Sequence, residues 1–188
     1  PSALPAAPRP PPPPRWVYEY MQQHLQHEID VAPDGVPHLI PIRSTVVLPS
    51  TLVVRARKRI VLRGSHPNNQ SLVVMNASMT SSARVFVVQD GAELYLSNLH
   101  VQGGHTIGCG GAVLVEGRGK LVAQYTQFAH NQASTGGGIC VPSNGQLELL
   151  AVRMVANWPS SIELGRPSTF DARVDLWGVE MDYIYGQP

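Results

Sequence analysis

Residues 110–135 and 136–161 follow each other without a gap and carry one pattern of small, apolar and Asn positions twice. Shifted by 26 or 27 residues, the chain superposes four such units. Self-similarity at a period of this size constrains a fold more than any local motif does. Leu94, Leu121, Leu147 and Val174 share one column, and Leu96, Ala123, Leu149 and Leu176 share another two residues on. Tyr95, Val122, Glu148 and Asp175 lie between them. Alternation of this kind has the period of a strand, so the aliphatic columns face a core and the middle one faces out. A second strand repeats the arrangement. Its inward columns are Leu99, Thr126, Val152, Val179 and Val101, Phe128, Met154, Met181, around the outward His100, Gln127, Arg153 and Glu180. The earlier bursts VFVV, AVLV and GICV supply a third strand, with Phe86, Val113, Ile139 and Val88, Val115, Val141 turned inward.

Three strands in so short a unit exclude the common alternatives. A propeller blade takes four strands in roughly 40 residues or more, and a βαβ unit needs room for its crossover helix. What remains is a coil in which each strand pairs with its counterpart one turn on, about 4.8 Å along the axis. The expected fold is therefore all-β, a parallel β-helix of about five coils. Asn131 and Asn157 fall at the same point of successive units, so their amides are expected to stack as a structural ladder. Gly110-Gly111 and Gly136-Gly137-Gly138 share another corner, where positive φ or close backbone approach suits glycine.

The N-terminal part reads differently. Residues 1–15 form an arm with five consecutive prolines, Pro10, Pro11, Pro12, Pro13 and Pro14. Such a tract is a stiff polyproline II spacer, of the kind that aromatic-lined grooves grip, and these prolines are expected to contact a partner. Over residues 16–32, Val17, Met21, Leu25 and Ile29 recur at every fourth position, which predicts one amphipathic helix. Pro33 ends it and Asp34-Gly35 turns the chain. The chain thus divides into an arm at 1–15, a helix and cap at 16–50, and the β-helix at 51–188.

GGAV at residues 110–113 and FAHN at residues 128–131 resemble the GGA-[ILV] and F-x-x-N repeats of chlamydial polymorphic outer-membrane proteins and of related secreted algal β-helix proteins. The next unit departs from that pattern, with GGGI and MVAN. IVLRG at residues 60–64, following a helix, also resembles the opening coil of pectate-lyase-like proteins. The resemblance implies a right-handed coil and an adhesive or surface-structural role.

Composition narrows the function. With a formal charge of +1 and only 14% charged residues, nothing points to nucleic acid as a partner. No apolar run approaches the roughly 20 residues of a membrane-spanning helix. Arg55, Arg57, Lys58, Arg59 and Arg63 form the one dense basic cluster, read as a solvated strand edge ahead of a site for acidic glycans. His24 and His27 lack the further ligands zinc requires. Glu148 and Asp175, with Arg153 on the neighbouring face, are the candidates for catalysis by a polysaccharide lyase, hydrolase or epimerase. Tyr95 and Val122 occupy the preceding levels of that column, so a calcium ion would lack stacked carboxylates there. No metal and no cofactor is expected.

The outward column Val87, Leu114 and Cys140 is apolar, and Tyr95 and Val122 continue that character, which marks a protein-contact face. Cys140 lies over Leu114, five positions past Cys109. On that offset the two are predicted to be separate thiols, beyond the roughly 7 Å limit for a disulfide. Asn69 and Asn76 begin N-glycosylation triplets, NQS and NAS. The expectation is a non-catalytic β-helix, secreted or at the cell surface, that is part of a larger protein assembly and presents flat faces to partner proteins or glycans. A polysaccharide-processing enzyme is the alternative.

Overall fold

The computed structural model describes residues 12–65, 72–77, 82–165 and 174–181. Helix α1 (Arg15–Val31) leads into rungs of short strands. The first rung is β1 (Pro37–Ile42), β2 (Val46–Val47) and β3 (Leu52–Val54), its first two strands lying inside residues 16–50, the span read from sequence as helix and cap. Next come β4 (Arg59–Gly64), β5 (Val73–Asn76) and β6 (Phe86–Val88), then β7 (Glu93–Ser97), β8 (Leu99–Gln102) and β9 (Val113–Val115). They are followed by β10 (Lys120–Gln124), β11 (Gln127–Ala129), β12 (Ile139–Val141), and by β13 (Gln146–Leu150), β14 (Arg153–Val155), β15 (Ile162–Leu164). The last described strands are β16 (Val174–Trp177) and β17 (Glu180–Met181).

Every third strand joins the same sheet. Sheet 1 runs β1-β4-β7-β10-β13-β16, sheet 2 runs β2-β5-β8-β11-β14-β17 and sheet 3 runs β3-β6-β9-β12-β15. The pairing is parallel and in the register read from sequence: Leu94, Leu121, Leu147 and Val174 stand one above another. Val101, Phe128, Met154 and Met181 do the same in sheet 2. The chain is a parallel β-solenoid with one N-terminal helix.

The inward columns merge into one apolar column of Leu, Val, Ile, Met and two fully buried phenylalanines, Phe86 and Phe128. Burial of each large side chain contributes about 1.5–3 kcal/mol. Thr126 is the polar member of an inward column, and its Oγ1 donates to the Gln124 carbonyl at 2.9 Å. The corners stack as strictly as the strands. Asn98, Tyr125, Ala151 and Gly178 lie at equivalent levels with φ of 55°, 50°, 50° and 58°. Their left-handed conformation costs a non-glycine residue roughly 1–2 kcal/mol, but it lets the ladder continue round the bend. Tyr125 N–H donates to the Leu150 carbonyl at 3.0 Å and Ala151 N–H to that of Trp177 at 2.8 Å.

The asparagine ladder forms as expected. Asn131 Nδ2 donates to Asn157 Oδ1 at 2.9 Å, and the two amides also donate to the Val101 and Phe128 carbonyls at 3.2 and 3.0 Å. Both side chains are buried, so this pairing removes the cost of leaving amides without partners. At the glycine corner, a Cβ on Gly137 would overlap the Trp158 backbone, which explains why glycine recurs there.

Helix α1 closes the first rung. Leu25, Ile29 and Ala32 enter the core, and Gln26 completes the edge of β3. Its Nε2 donates to the Val53 carbonyl at 2.9 Å, while its Oε1 accepts from Val53 N–H at 2.8 Å. One side-chain amide thus takes the place a further strand would occupy. The ion pairs Arg55–Asp30 at 3.1 Å, Arg57–Asp34 at 2.9 Å and Lys58–Asp34 at 2.9 Å bind the helix and its exit turn to the same rung. Substituting Gln26→Ala is expected to lower stability by about 1–3 kcal/mol, with native-like circular dichroism. Urea denaturation measures it, and an unchanged midpoint would remove Gln26 from the cap.

Candidate functional site

The basic cluster near residue 57 is built into this capping network. Arg59, its fourth member, pairs with Glu93 at 3.0 Å across sheet 1. Tyr95 OH also donates to Glu93, at 2.8 Å, and its hydroxyl and the Glu93 carboxylate hold the Arg59 guanidinium above its ordinary pKa. Two rungs on, Lys120 Nζ meets Glu148 Oε1 at 2.7 Å. The outer face of sheet 1 is therefore laced by alternating charges, and Arg63, also on this face, is exposed.

Glu148 and Asp175 stand in register on β13 and β16, as the sequence predicted. They line one shallow pocket with Val122, Gln124, Leu150 and Trp177. Arg153 does not join them. It lies on β14 in sheet 2 and pairs with Glu180 at 3.8 Å. The proposed acid, base and cation are thus split between two faces. Sequence reasoning missed Trp177, Leu150 and Gln124, although they form the next outward column, with Leu150 directly over Trp177. The signal was the two-residue spacing from Asp175 and Glu148.

The cysteines correct the sequence reading. Cys109 and Cys140 form a disulfide with Cα atoms 5.7 Å apart. Cys140 does lie beside Leu114 in register, but Cys109 is not five strand residues away from it. Gly110 takes φ 76° and the chain bends at Gly111 and Ala112, so the segment before β9 is not an extension of that strand and lies against the outward side of Cys140. There Cys109 pairs with Thr135, and a Cβ on Gly110 would come within 3.1 Å of Cys140 Cβ. Arg84 Nε donates to the Cys109 carbonyl at 3.0 Å, and burial pulls this guanidinium below its usual pKa.

Cys140 is consequently 0% exposed and offers no contact surface. Val122 is also buried, while Val87, Leu114 and Tyr95 are half-buried. The loops between sheets 2 and 3 stack as a further narrow ladder, Ala83, His105, Gln132 and Trp158. His130 turns one of these loops at φ 54°. His100, outward on β8, has its pKa lowered by burial and then by His130, and its Nε2 has no partner among the described residues.

Of the prolines, Pro12, Pro13 and Pro14 are exposed, whereas Pro10 and Pro11 lie outside the described residues. Asn69 and the Ser that completes the Asn76 triplet also lie outside them, and Asn76 itself ends β5. His27 is exposed and His24 lines a groove beside α1. Among the described residues, no group of three or more His, Cys, Asp or Glu is gathered, and no helix is long and apolar enough to cross a membrane.

No protein-family model matches the chain, and comparison with curated proteins and with solved structures finds no match. The fold places it in the class of parallel β-solenoids.

Removing the disulfide by the Cys109→Ser/Cys140→Ser pair is expected to lower stability by about 2–4 kcal/mol. Titration of the denatured, unreduced chain should find no free thiol, and two free thiols would contradict the bridge. A second expectation concerns pH. The hydrogen bond to Glu148 raises the Lys120 pKa above its ordinary value, and the charges of Glu148, Tyr95 and Glu93 add to it. A raised folded-state pKa gives stability that is full below the unfolded value and lost as pH climbs through the folded one. The stability difference between wild type and Lys120→Met should therefore hold at neutral pH and shrink above the ordinary lysine range, as urea denaturation across alkaline pH will measure.

Proposed function

We propose that this protein is a non-catalytic β-helix of a secreted or cell-surface assembly, presenting its proline arm and flat faces to other proteins and to glycans. The observation that carries this reading is an apolar strip at the N-terminal end. Residues 12–14 are exposed, and Trp16 and Tyr20, one helical turn apart on α1, are 68% and 66% exposed. A groove lined by Tyr20, Met21, His24, Ile40, Pro41 and Val46 opens beside them. Exposed aromatic side chains next to a stiff, low-entropy proline segment suit protein contact. The disulfide supports an oxidising compartment. The likeness of GGAV and FAHN to repeats of surface β-helix proteins supports the same role.

The enzymatic alternative retains one observation in its favour, the placement of Glu148 and Asp175 in a single pocket. Against it, Glu148 is paired with Lys120 and Arg153 with Glu180 on another sheet. Release of reducing ends or unsaturated products from a panel of uronic-acid and neutral glycans would establish it.

The assembly reading is tested with the Trp16→Glu/Tyr20→Glu double variant. It should fold normally, because both residues are exposed, and associate at least about tenfold more weakly with its partners. The measurement is the fraction retained at the surface of cells expressing the full protein. Retention equal to wild type would contradict the contact strip.

A further inference from the structure

We propose, resting on the contact strip of the assembly reading, that the groove beside α1 takes the proline tract of a second copy of this chain, the two copies exchanging arms in a two-fold dimer. Trp16, Tyr20, His24 and Glu28 recur at every fourth position of α1, a spacing that sets side chains in one row. Trp16 and Tyr20 are 68% and 66% exposed, and the Tyr20 and His24 rings lie 6.3 Å apart, tilted by 57°. Tyr20, His24 and Glu28 line the groove, with Ile40, Pro41 and the exposed Arg43 on its other wall. The row of rings thus ends in a carboxylate, and Glu28 has no ion pair among the described residues.

The proline tract has the matching shape, length and charge. Five consecutive prolines, Pro10 to Pro14, favour a polyproline II rod, the ligand that aromatic-lined grooves accept at little cost in chain entropy. From Arg9 to Pro14 such a rod extends roughly 15 Å at 3.1 Å per residue, against roughly 18 Å from Glu28 to Trp16 at 1.5 Å per residue of helix. The long Arg9 side chain makes up the difference and brings a guanidinium to the Glu28 carboxylate. The tract does not fit its own groove. Pro12, Pro13 and Pro14 are exposed, and Pro14 has polyproline II dihedrals where the helix begins. A residue before proline disfavours the helical region, so nothing between Arg9 and Pro14 favours a turn back onto α1. A second copy meets no such constraint. With the two helix N-termini adjacent, each rod runs along the partner's row from Glu28 toward Trp16, and a two-fold axis makes both contacts identical.

The test is analytical ultracentrifugation of the purified full chain from micromolar to millimolar concentration, where a reversible monomer–dimer equilibrium should appear. Tyr20→Ala and the pair Pro12→Gly/Pro13→Gly should each weaken dimerisation about tenfold or more. Glu28→Arg should weaken it too, and Arg9→Glu added to Glu28→Arg should restore it, a rescue that misfolding does not produce. Circular dichroism of each variant confirms folding. A dimer indifferent to Tyr20→Ala or to the glycine pair would overturn the proposal. So would a wild-type chain that stays monomeric throughout, whether or not it then binds a synthetic peptide of residues 5–14, a result that would give the groove to a proline-rich segment of another protein. Cell-surface retention of the Trp16→Glu/Tyr20→Glu variant reports separately on the assembly reading: its loss in a protein that never dimerises would leave that reading standing and sink the exchange of arms.

Discussion

The structure depends on in-register parallel hydrogen bonding between successive rungs. Each strand pairs with the strand three elements later, so every residue sits on its equivalent one turn before. A slip by one residue would turn every inward side chain out. That penalty explains why Leu94, Leu121 and Leu147 remain leucine, and why Asn131 and Asn157 coincide closely enough for their amides to bond. The outward columns are free to vary, as Tyr95, Val122 and Glu148 do, and the loops between sheets 2 and 3 stack only through single bridges. There the segment before β9 carries Cys109 against the outward side of Cys140.

The same spacing imposes opposite rules inside and outside. Like stacks on like in the core, where aliphatic side chains at about 4.8 Å pack well. On the outer face like charges at that distance repel, and the chain places Arg59 beside Glu93 and Glu93 beside Lys120. Glu148 beside Asp175 breaks this alternation. The exception falls where the exposed Trp177 and Leu150 also interrupt a polar surface, and the coincidence of the two irregularities is what distinguishes this part of sheet 1 from the rest.

The sheets were legible in the sequence because a repeat reveals its own register, and the columns of β7, β10 and β13 could be aligned without reference to any turn. The corner conformations were harder, since Tyr125 and Ala151 adopt left-handed φ despite their Cβ atoms, and only the stacking around them compensates. The disulfide was misread for a related reason. Counting five residues from Cys109 to the Cys140 column assumed an extended chain, whereas the positive φ of Gly110 and the bend at Gly111 and Ala112 shorten that path. The carboxylate pair was visible as a column, but its separation from Arg153 depends on which sheet follows the corner, and a single pair of residue numbers does not convey that. Gln26 gave no signal at all, being one polar residue on a helix whose apolar stripe was the recognisable feature.

A stack of parallel strands has a growing end wherever backbone donors and acceptors point outward without mates. At β3 that end is already engaged, because the Gln26 amide bonds both backbone groups of Val53. A second chain arriving there would have to displace an intramolecular bond pair and the ion pairs beside it before adding its own. Fibre-like extension in that direction is thereby disfavoured by a glutamine whose side chain does the work of a neighbouring peptide group.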